Sequence, residues 1–446
     1  MSIALSLWFA GAAQAQVKLS VAGPVTGPNA AFGAQLSQGV QQAAEDINKA
    51  GGILGQKVQV EVGDDVSDPK QGVAVANKLI GDGVKFVVGH FNSGVTMPAS
   101  DVYAENGILF INPSATNPKI TDRKLWDAFR TCGRDDQQGM VWAELARDKL
   151  KGKKIAVIHD KATYGKGLAN AALDNMHKFG VKEVLYEGVN TGEKDYSAIV
   201  SKIKNSGVDY LTWGGLHTEG GLILRQMRDQ GMNAVMISGD GITDSEFAAI
   251  GGTGVEGTLM TFGPGPRNNP SAKEAVDSFK AKGFDPQGYT LYSYAALQII
   301  KQAAEKANSL DAKKVAEVMH SSIPFRTVIG DISYDKKGDR TTVDYVWYVW
   351  KKGPDGKIGF VQLRTGLGSP LRSKEDPFGP PSKRKHRRHF LRPEGRPPGE
   401  GCAAALTMIA RICFGSQPMP TPALTAQRHA PQNPARARPR PLFGAR

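Results

Sequence analysis

"VVGHFNSGVTMPASDVYAENGILFINPSATNP", residues 87–118, holds two apolar, strand-like runs that each stop at small polar residues. The first stop is Asn92-Ser93-Gly94 and the second is Asn112-Pro113-Ser114-Ala115-Thr116. Between them, residues 96–105 carry a helical pattern. Strand, loop, helix, strand, loop is the unit of a parallel sheet, and parallel α/β sheets take ligands at the carboxyl ends of their strands. Both loops fall at such ends.

The same alternation runs outward in both directions. Upstream, strand 17–23 leads to helix 31–50, where Leu36, Val40, Ala43, Ala44 and Ile47 recur at helical spacing. Strand 57–62 and helix 69–80 follow, with Pro69 suited to a first helical turn. Downstream come helix 137–150, strand 155–159, helix 165–179 and strand 184–187. Helix 196–206, strand 210–213, helix 220–230 and strand 235–237 continue the series. Strands alternating with helices predict an α/β fold of parallel sheets covered on both faces.

The repeat is long for one sheet, so two Rossmann-like lobes are expected. The chain crosses near 132–137 and again near Gly263-Pro264-Gly265-Pro266, and helix 289–307 returns to the first lobe. The predicted division is 16–133 with 264–326 for the first lobe and 134–263 with 327–366 for the second. From Thr327 the pattern alternates residue by residue, and Lys337-Gly338-Asp339 reads as the turn of a β-hairpin.

The ends read differently from the body. The chain has a net charge of +13, yet residues 370–446 hold 15 Lys+Arg against 4 Asp+Glu, leaving 41 and 39 in residues 1–369. The basic character is a property of the tail and argues no nucleic-acid role for the body. The tail also holds 14 of the 26 prolines. Residues 367–446 are expected to be disordered, and they read as a frame-shifted C-terminus. At the other end, an apolar run over 3–12 and Ala13-Gln14-Ala15 look like the rear of a secretory signal, which predicts an exported, periplasmic protein. Cys132 is the body's only cysteine, so a Cys-based zinc site or an internal disulfide is excluded there.

Catalytic fingerprints are absent from the sequence: no G-x-G-x-x-G after a strand, no phosphate loop, no H-E-x-x-H and no G-x-S-x-G. The body's five histidines, at 90, 159, 177, 217 and 320, form no metal spacing. A non-enzyme without cofactor or metal is expected; an α/β enzyme using His90 or Asp240 is the rival of a different class. The strand ends offer neutral polar groups instead. Ser93 precedes a helix whose free N–H groups suit a carboxylate. Ser114 and Thr116, with Ala115 between them, offer a carbonyl and hydroxyls to an ammonium. Across the first crossing, Tyr164, Leu216 and Asp240 end strands, and a carboxylate at Asp240 would contribute about 1.5–3 kcal/mol to holding an ammonium. Phe32, Tyr164 and Tyr289 are candidate apolar walls. Each of these residues has an ordinary alternative as a cap, a turn or a core side chain.

The stretches "AGPVTGPNAAFGAQLSQGVQQAAEDINKAGGILGQKVQV", "DDVSDPKQGVAVANKLIGDGVKFVVGHFNSGVTMPASDVY" and "HDKATYGKGLA" closely resemble the branched-chain amino-acid-binding proteins of bacterial ABC importers. "TGEKDYSAIVSKIK" and "YSYAALQ" fit as well, and the similarity runs from about residue 17 to 363. It implies a type I periplasmic binding fold closing on its ligand, with three crossing segments. By matched motif it implies Ser93 for the α-carboxylate and the Ser114 backbone with Thr116 completing the clamp. It also implies Tyr164 from the second lobe, Asp240 for the α-ammonium, and Phe32 and Tyr289 in the side-chain pocket. Several relatives carry a disulfide whose half-cystines fall at Ser67 and Asn92, both replaced here. Leu216 stands where amino-acid-specific relatives often have Tyr. The implied ligand is leucine, isoleucine or valine, the implied partner an ABC permease, and the implied state a monomer. An amide, urea or aromatic acid in the same fold is the second ligand class.

Overall fold

The computed structural model describes residues 16–342 and 345–363. The expected signal remnant (1–15) and tail (367–446) lie outside them. The first sheet is wholly parallel, with order β2-β1-β3-β4-β5. Its strands are β1 (Gln16–Gly23), β2 (Lys57–Asp64), β3 (Phe86–Gly89), β4 (Leu109–Asn112) and β5 (Ala128–Arg130). Helices α1 (Ala30–Lys49), α2 (Pro69–Gly81), α3 (Ser93–Glu105) and α4 (Lys119–Asp122) connect them. Strands covered on both faces read as continuous apolar runs: all four residues of β3 and of β4 are buried.

After the first crossing comes α5 (Asp135–Asp148), and β6 (Ile155–His159) follows. Next are α6 (Thr163–Lys178), β7 (Leu185–Gly188), α7 (Ser197–Ser206), β8 (Tyr210–Gly214), α8 (His217–Asp229) and β9 (Val235–Ser238). A 3-10 turn at Asp240–Ile242, α9 (Glu246–Gly251), a second 3-10 turn at Gly252–Val255 and β10 (Leu259–Phe262) follow. The chain then returns through α10 (Lys273–Ala281), α11 (Thr290–Ala307) and α12 (Ala312–Met319). α11 packs along α1, which places it on the first sheet. The last strands are β11 (Phe325–Thr327), β12 (Gly330–Ile332), β13 (Val346–Lys352) and β14 (Ile358–Gln362). β13 and β14 join the second sheet antiparallel, giving the order β14-β13-β10-β9-β8-β6-β7.

The elements match the sequence reading in kind, but several helices begin a turn earlier. α3 starts at Ser93 rather than 96, α5 at Asp135 rather than 137 and α8 at His217 rather than 220. First turns are polar because they face the ends of strands, so they carry no apolar period to read.

The hairpin expected about Lys337-Gly338-Asp339 is a correction. Only one antiparallel bridge, Tyr334 with Arg340, flanks that turn. The hairpins are β11–β12 and β13–β14. The turn is instead tied to β5. Gly338 O accepts from Arg130 N at 3.2 Å, and a Cβ at Gly338 would lie 1.8 Å from Ala128 O. Asp339 pairs with Arg130 Nε at 2.9 Å and Arg134 Nη1 at 2.6 Å. β11 packs on α11. These contacts of 327–342 fall on β5, α11 and the segment leading into α5.

Candidate functional site

A cavity of about 230 Å³ opens where the carboxyl ends of the two sheets face each other. One wall comes from the loops after β3 and β4: Phe91, Asn92, Ser93, Gly94 and Ser114. The other comes from the loops after β6, β8 and β9: Asp160, Thr163, Tyr164, Leu216 and Asp240. Tyr289, at the N-terminus of α11, lies between them. The halves also touch beyond the cavity, where Asn117 Nδ2 donates to Thr163 O at 3.1 Å and Gln35 Nε2 donates to Asp244 Oδ2 at 2.7 Å.

The first wall is a helix start. Asn92 caps α3 with extended backbone and no side-chain cap bond, and the N–H groups of Val95 and Thr96 are taken by Asn92 O. Ser93 is the first helical residue, so its own N–H and that of Gly94 belong to the unpaired first turn. Ser93 Oγ accepts from Asn117 N at 3.3 Å, which ties the two loops together. In the second loop, Asn112 Oδ1 accepts from the N–H groups of Ser114 and Ala115 at 2.8 and 2.6 Å. The Ala115 carbonyl accepts from Arg130 Nη1 at 3.0 Å. Thr116 Oγ1 is buried and forms no hydrogen bond.

The second wall is acidic. Asp240 is 2% exposed. Burial pushes its carboxyl up to about 6, against hydrogen bonds from Tyr164, Gln138 and Tyr289 that favour the charged form. Tyr164 Oη donates to Asp240 Oδ1 at 2.8 Å and accepts from Gly241 N at 3.1 Å. Burial likewise pushes Asp160 up to about 7; the N–H of Ala162 donates to its Oδ1 at 2.9 Å. Asp135 lies behind, its N–H bonded to Thr116 O at 2.9 Å. Burial first, and the nearby Asp240 second, hold its carboxyl well above the usual range.

A cavity with a helix start and hydroxyls at one side and a buried acid at the other suits a small molecule carrying both charges. No group of three or more metal-ligating side chains occurs among the described residues, and none of their helices is long and apolar enough to cross a membrane.

The profile of the family described as periplasmic binding protein matches residues 16–356. Leu/Ile/Val-binding protein homolog 1 of Brucella suis biovar 1 (strain 1330) is 57% identical over 362 residues, covering 81% of this chain and 98% of that relative. The chain belongs to the periplasmic binding protein family. Among solved structures, the leucine binding protein LivK of Thermotoga maritima MSB8 superposes with a TM-score of 0.71 at 29% identity, over 77% of this chain and 97% of that one. The branched-chain amino acid transporter substrate binding protein LivJ of Streptococcus pneumoniae, in complex with isoleucine, gives 0.69 at 25% identity, over 78% and 100%.

Of the residues singled out in the sequence, this periplasmic binding protein brings Ser93, Ser114, Tyr164, Leu216, Asp240 and Tyr289 to one cavity. Phe32, Ala115 and Thr116 are not on its wall. Phe32 is fully buried one layer back, its ring stacked on Phe91 with centroids 4.3 Å apart and planes at 14°. Of the stacked pair, Phe91 is the ring that reaches the cavity. Ser67 and Asn92 both line it, and Ser67 Oγ accepts from Asn29 Nδ2 at 2.9 Å. Phe91 and Asp160 were not foreseen. Asp160 could have been found, because it is an acid directly after a strand in "HDKATYGKG".

Proposed function

We propose that this protein is an extracytoplasmic receptor that captures a branched-chain α-amino acid between its lobes and delivers it to an ABC import permease. The observation that carries the reading is the polarity of the cavity: the Ser93 end of α3 faces Asp240 across it. The N–H groups of Ser93 and Gly94 and the Ser93 hydroxyl receive the α-carboxylate. Asp240 receives the α-ammonium. The relatives named for leucine, isoleucine and valine support the same choice. The side chain lies against Phe91, Leu216, Tyr289 and Pro69. Burial of about 0.8 kcal/mol per methylene makes valine and leucine better ligands than alanine by about tenfold or more. The bound molecule leaves unchanged, since no group in the cavity is arranged to attack it.

Titration calorimetry with leucine, isoleucine, valine, alanine, acetamide, urea and benzoate tests this. Binding of the branched amino acids alone is the expected result. Tight benzoate binding with no response to leucine would overturn the ligand class and leave the fold untouched.

A further inference from the structure

Asp240 is held from behind by residues that do not reach the cavity. Gln138 and Trp142 lie on α5 and Thr261 on β10; all three are buried. The Trp142 indole N–H is a donor only, and it donates to Thr261 Oγ1 at 2.9 Å. The Thr261 hydroxyl donates onward to Gln138 Oε1 at 2.6 Å. The same Oε1 accepts from Asp240 N at 3.1 Å. With its oxygen committed twice, the Gln138 amide must turn Nε2 to the carboxylate, and Nε2 lies 3.2 Å from Asp240 Oδ1. Tyr164 is constrained in the same sense: its oxygen accepts from Gly241 N–H, so its hydrogen points to Oδ1. Oδ1 thus receives two donors, a pattern that suits an ionised oxygen and excludes a proton on it.

We propose that Gln138, fixed by Thr261 and Trp142, is a positioning residue that presents Asp240 to the cleft as a preorganised acceptor for the cationic end of the ligand. The identity of that cation rests on the amino-acid reading; the orientation of Asp240 does not. All four residues belong to the second sheet and its helices, so the arrangement does not depend on lobe closure. It therefore lowers the reorganisation cost of binding. The other titratable groups that face Asp240 are Asp135 on α5, Tyr164 on α6, Tyr289 before α11, Tyr345 before β13 and Cys132 at the first crossing.

Carboxyl-carbon NMR on aspartate-labelled protein, with the resonance assigned by Asp240→Asn, reads the relay without a ligand. Gln138→Met should move the Asp240 titration midpoint up by about one pH unit, because a donor to the charged form is lost. Its leucine Kd should rise about fivefold at pH 6 and hardly at all at pH 8. Thr261→Val frees the amide to flip and should move both readouts the same way by a smaller amount. An unchanged midpoint with an unchanged Kd would overturn the proposal. So would an unchanged midpoint with a Kd raised equally at every pH, which marks a packing role. Should Gln138→Met fail to fold, Thr261→Val decides by the same criteria. Should the unaltered protein not bind leucine, the ligand reading falls and the NMR midpoint alone decides the role of Gln138.

Discussion

Gln35 Nε2 donates to Asp244 Oδ2 at 2.7 Å, joining residues 209 apart in the chain and buried on opposite sides of the cleft. Gln35 Oε1 meanwhile accepts from Tyr289 N at 2.9 Å, so one amide holds a cavity-wall residue and the far half together. Neither Gln35 nor Asp244 lines the cavity. The pair bridges the two halves in this structure, so if the halves part to admit a ligand it stabilises the closed arrangement without touching that ligand. Gln35→Ala should therefore weaken leucine binding by about tenfold, as loss of a charge-assisted hydrogen bond predicts. Stopped-flow should place the loss in the dissociation rate. Gln35→Glu should lose more at neutral pH, and Asp244→Asn should restore most of it. An unaltered dissociation rate in Gln35→Ala would show the pair to be incidental.

The charge of Asp240 predicts the pH dependence of binding. Burial raises its carboxyl to about 6 in the empty protein, and a bound ammonium lowers it again. Affinity should be at its full value above about pH 7 and fall as pH drops through 6, approaching tenfold per pH unit well below it. In that acid range binding should release a proton, seen in calorimetry as a dependence on buffer ionisation enthalpy. Asp240→Asn should bind weakly with a flat profile. A wild-type profile flat from pH 5 to 8 would remove Asp240 from the ligand's charge balance.

Asp127, before β5, makes a separate prediction about stability. It is fully buried, and neither oxygen has a partner beyond its own backbone N–H. Burial pushes its carboxyl up to about 8. The folded state therefore holds this proton more tightly than the unfolded chain, where the carboxyl titrates near 3.9. Stability contributed by the proton is present below about pH 4 and is lost progressively as pH rises towards 8. Asp127→Asn keeps the shape and removes the loss. Its melting temperature should exceed the parent's by about 3 °C or more at pH 8.5 and by little at pH 5. Equal differences at both values would contradict a neutral Asp127.

Asp339 neutralises two buried guanidinium groups, Arg130 and Arg134, and also accepts from Thr121 Oγ1 at 2.7 Å. Opposing its partial burial, these partners hold its carboxyl below the usual range. Asp339→Ala strands Arg130, which is fully buried, and should cost about 3–5 kcal/mol in urea unfolding. Because Arg130 also binds the carbonyls of Ala115 and Asn117, leucine affinity should fall with stability. A loss under 1 kcal/mol would show the cluster to be loosely solvated.

How much of this was legible depended on the range of the contacts. Ser93 and Asp240 could be picked out because strand, small polar residues and helix are neighbours in sequence, and that order alone puts them at strand ends. Gln138 and Thr261 could not: their partners lie 102 and 123 residues away, and neither residue type stands out in its own helix or strand. The Lys337-Gly338-Asp339 turn was misassigned for the same reason. Its local signal is genuine, but Asp339 is claimed by arginines from another element. Phe32 was placed one layer too far forward, because an aromatic near a binding loop carries no mark of which of two stacked rings faces inward.

That stacking means the cavity's apolar wall is two rings thick here, with the rear ring off the cavity's surface. Trimming Phe32 would let Phe91 lean back and admit a bulkier side chain while the polar ends stay untouched. Ligand size in this protein would then change through a residue that does not line the cavity.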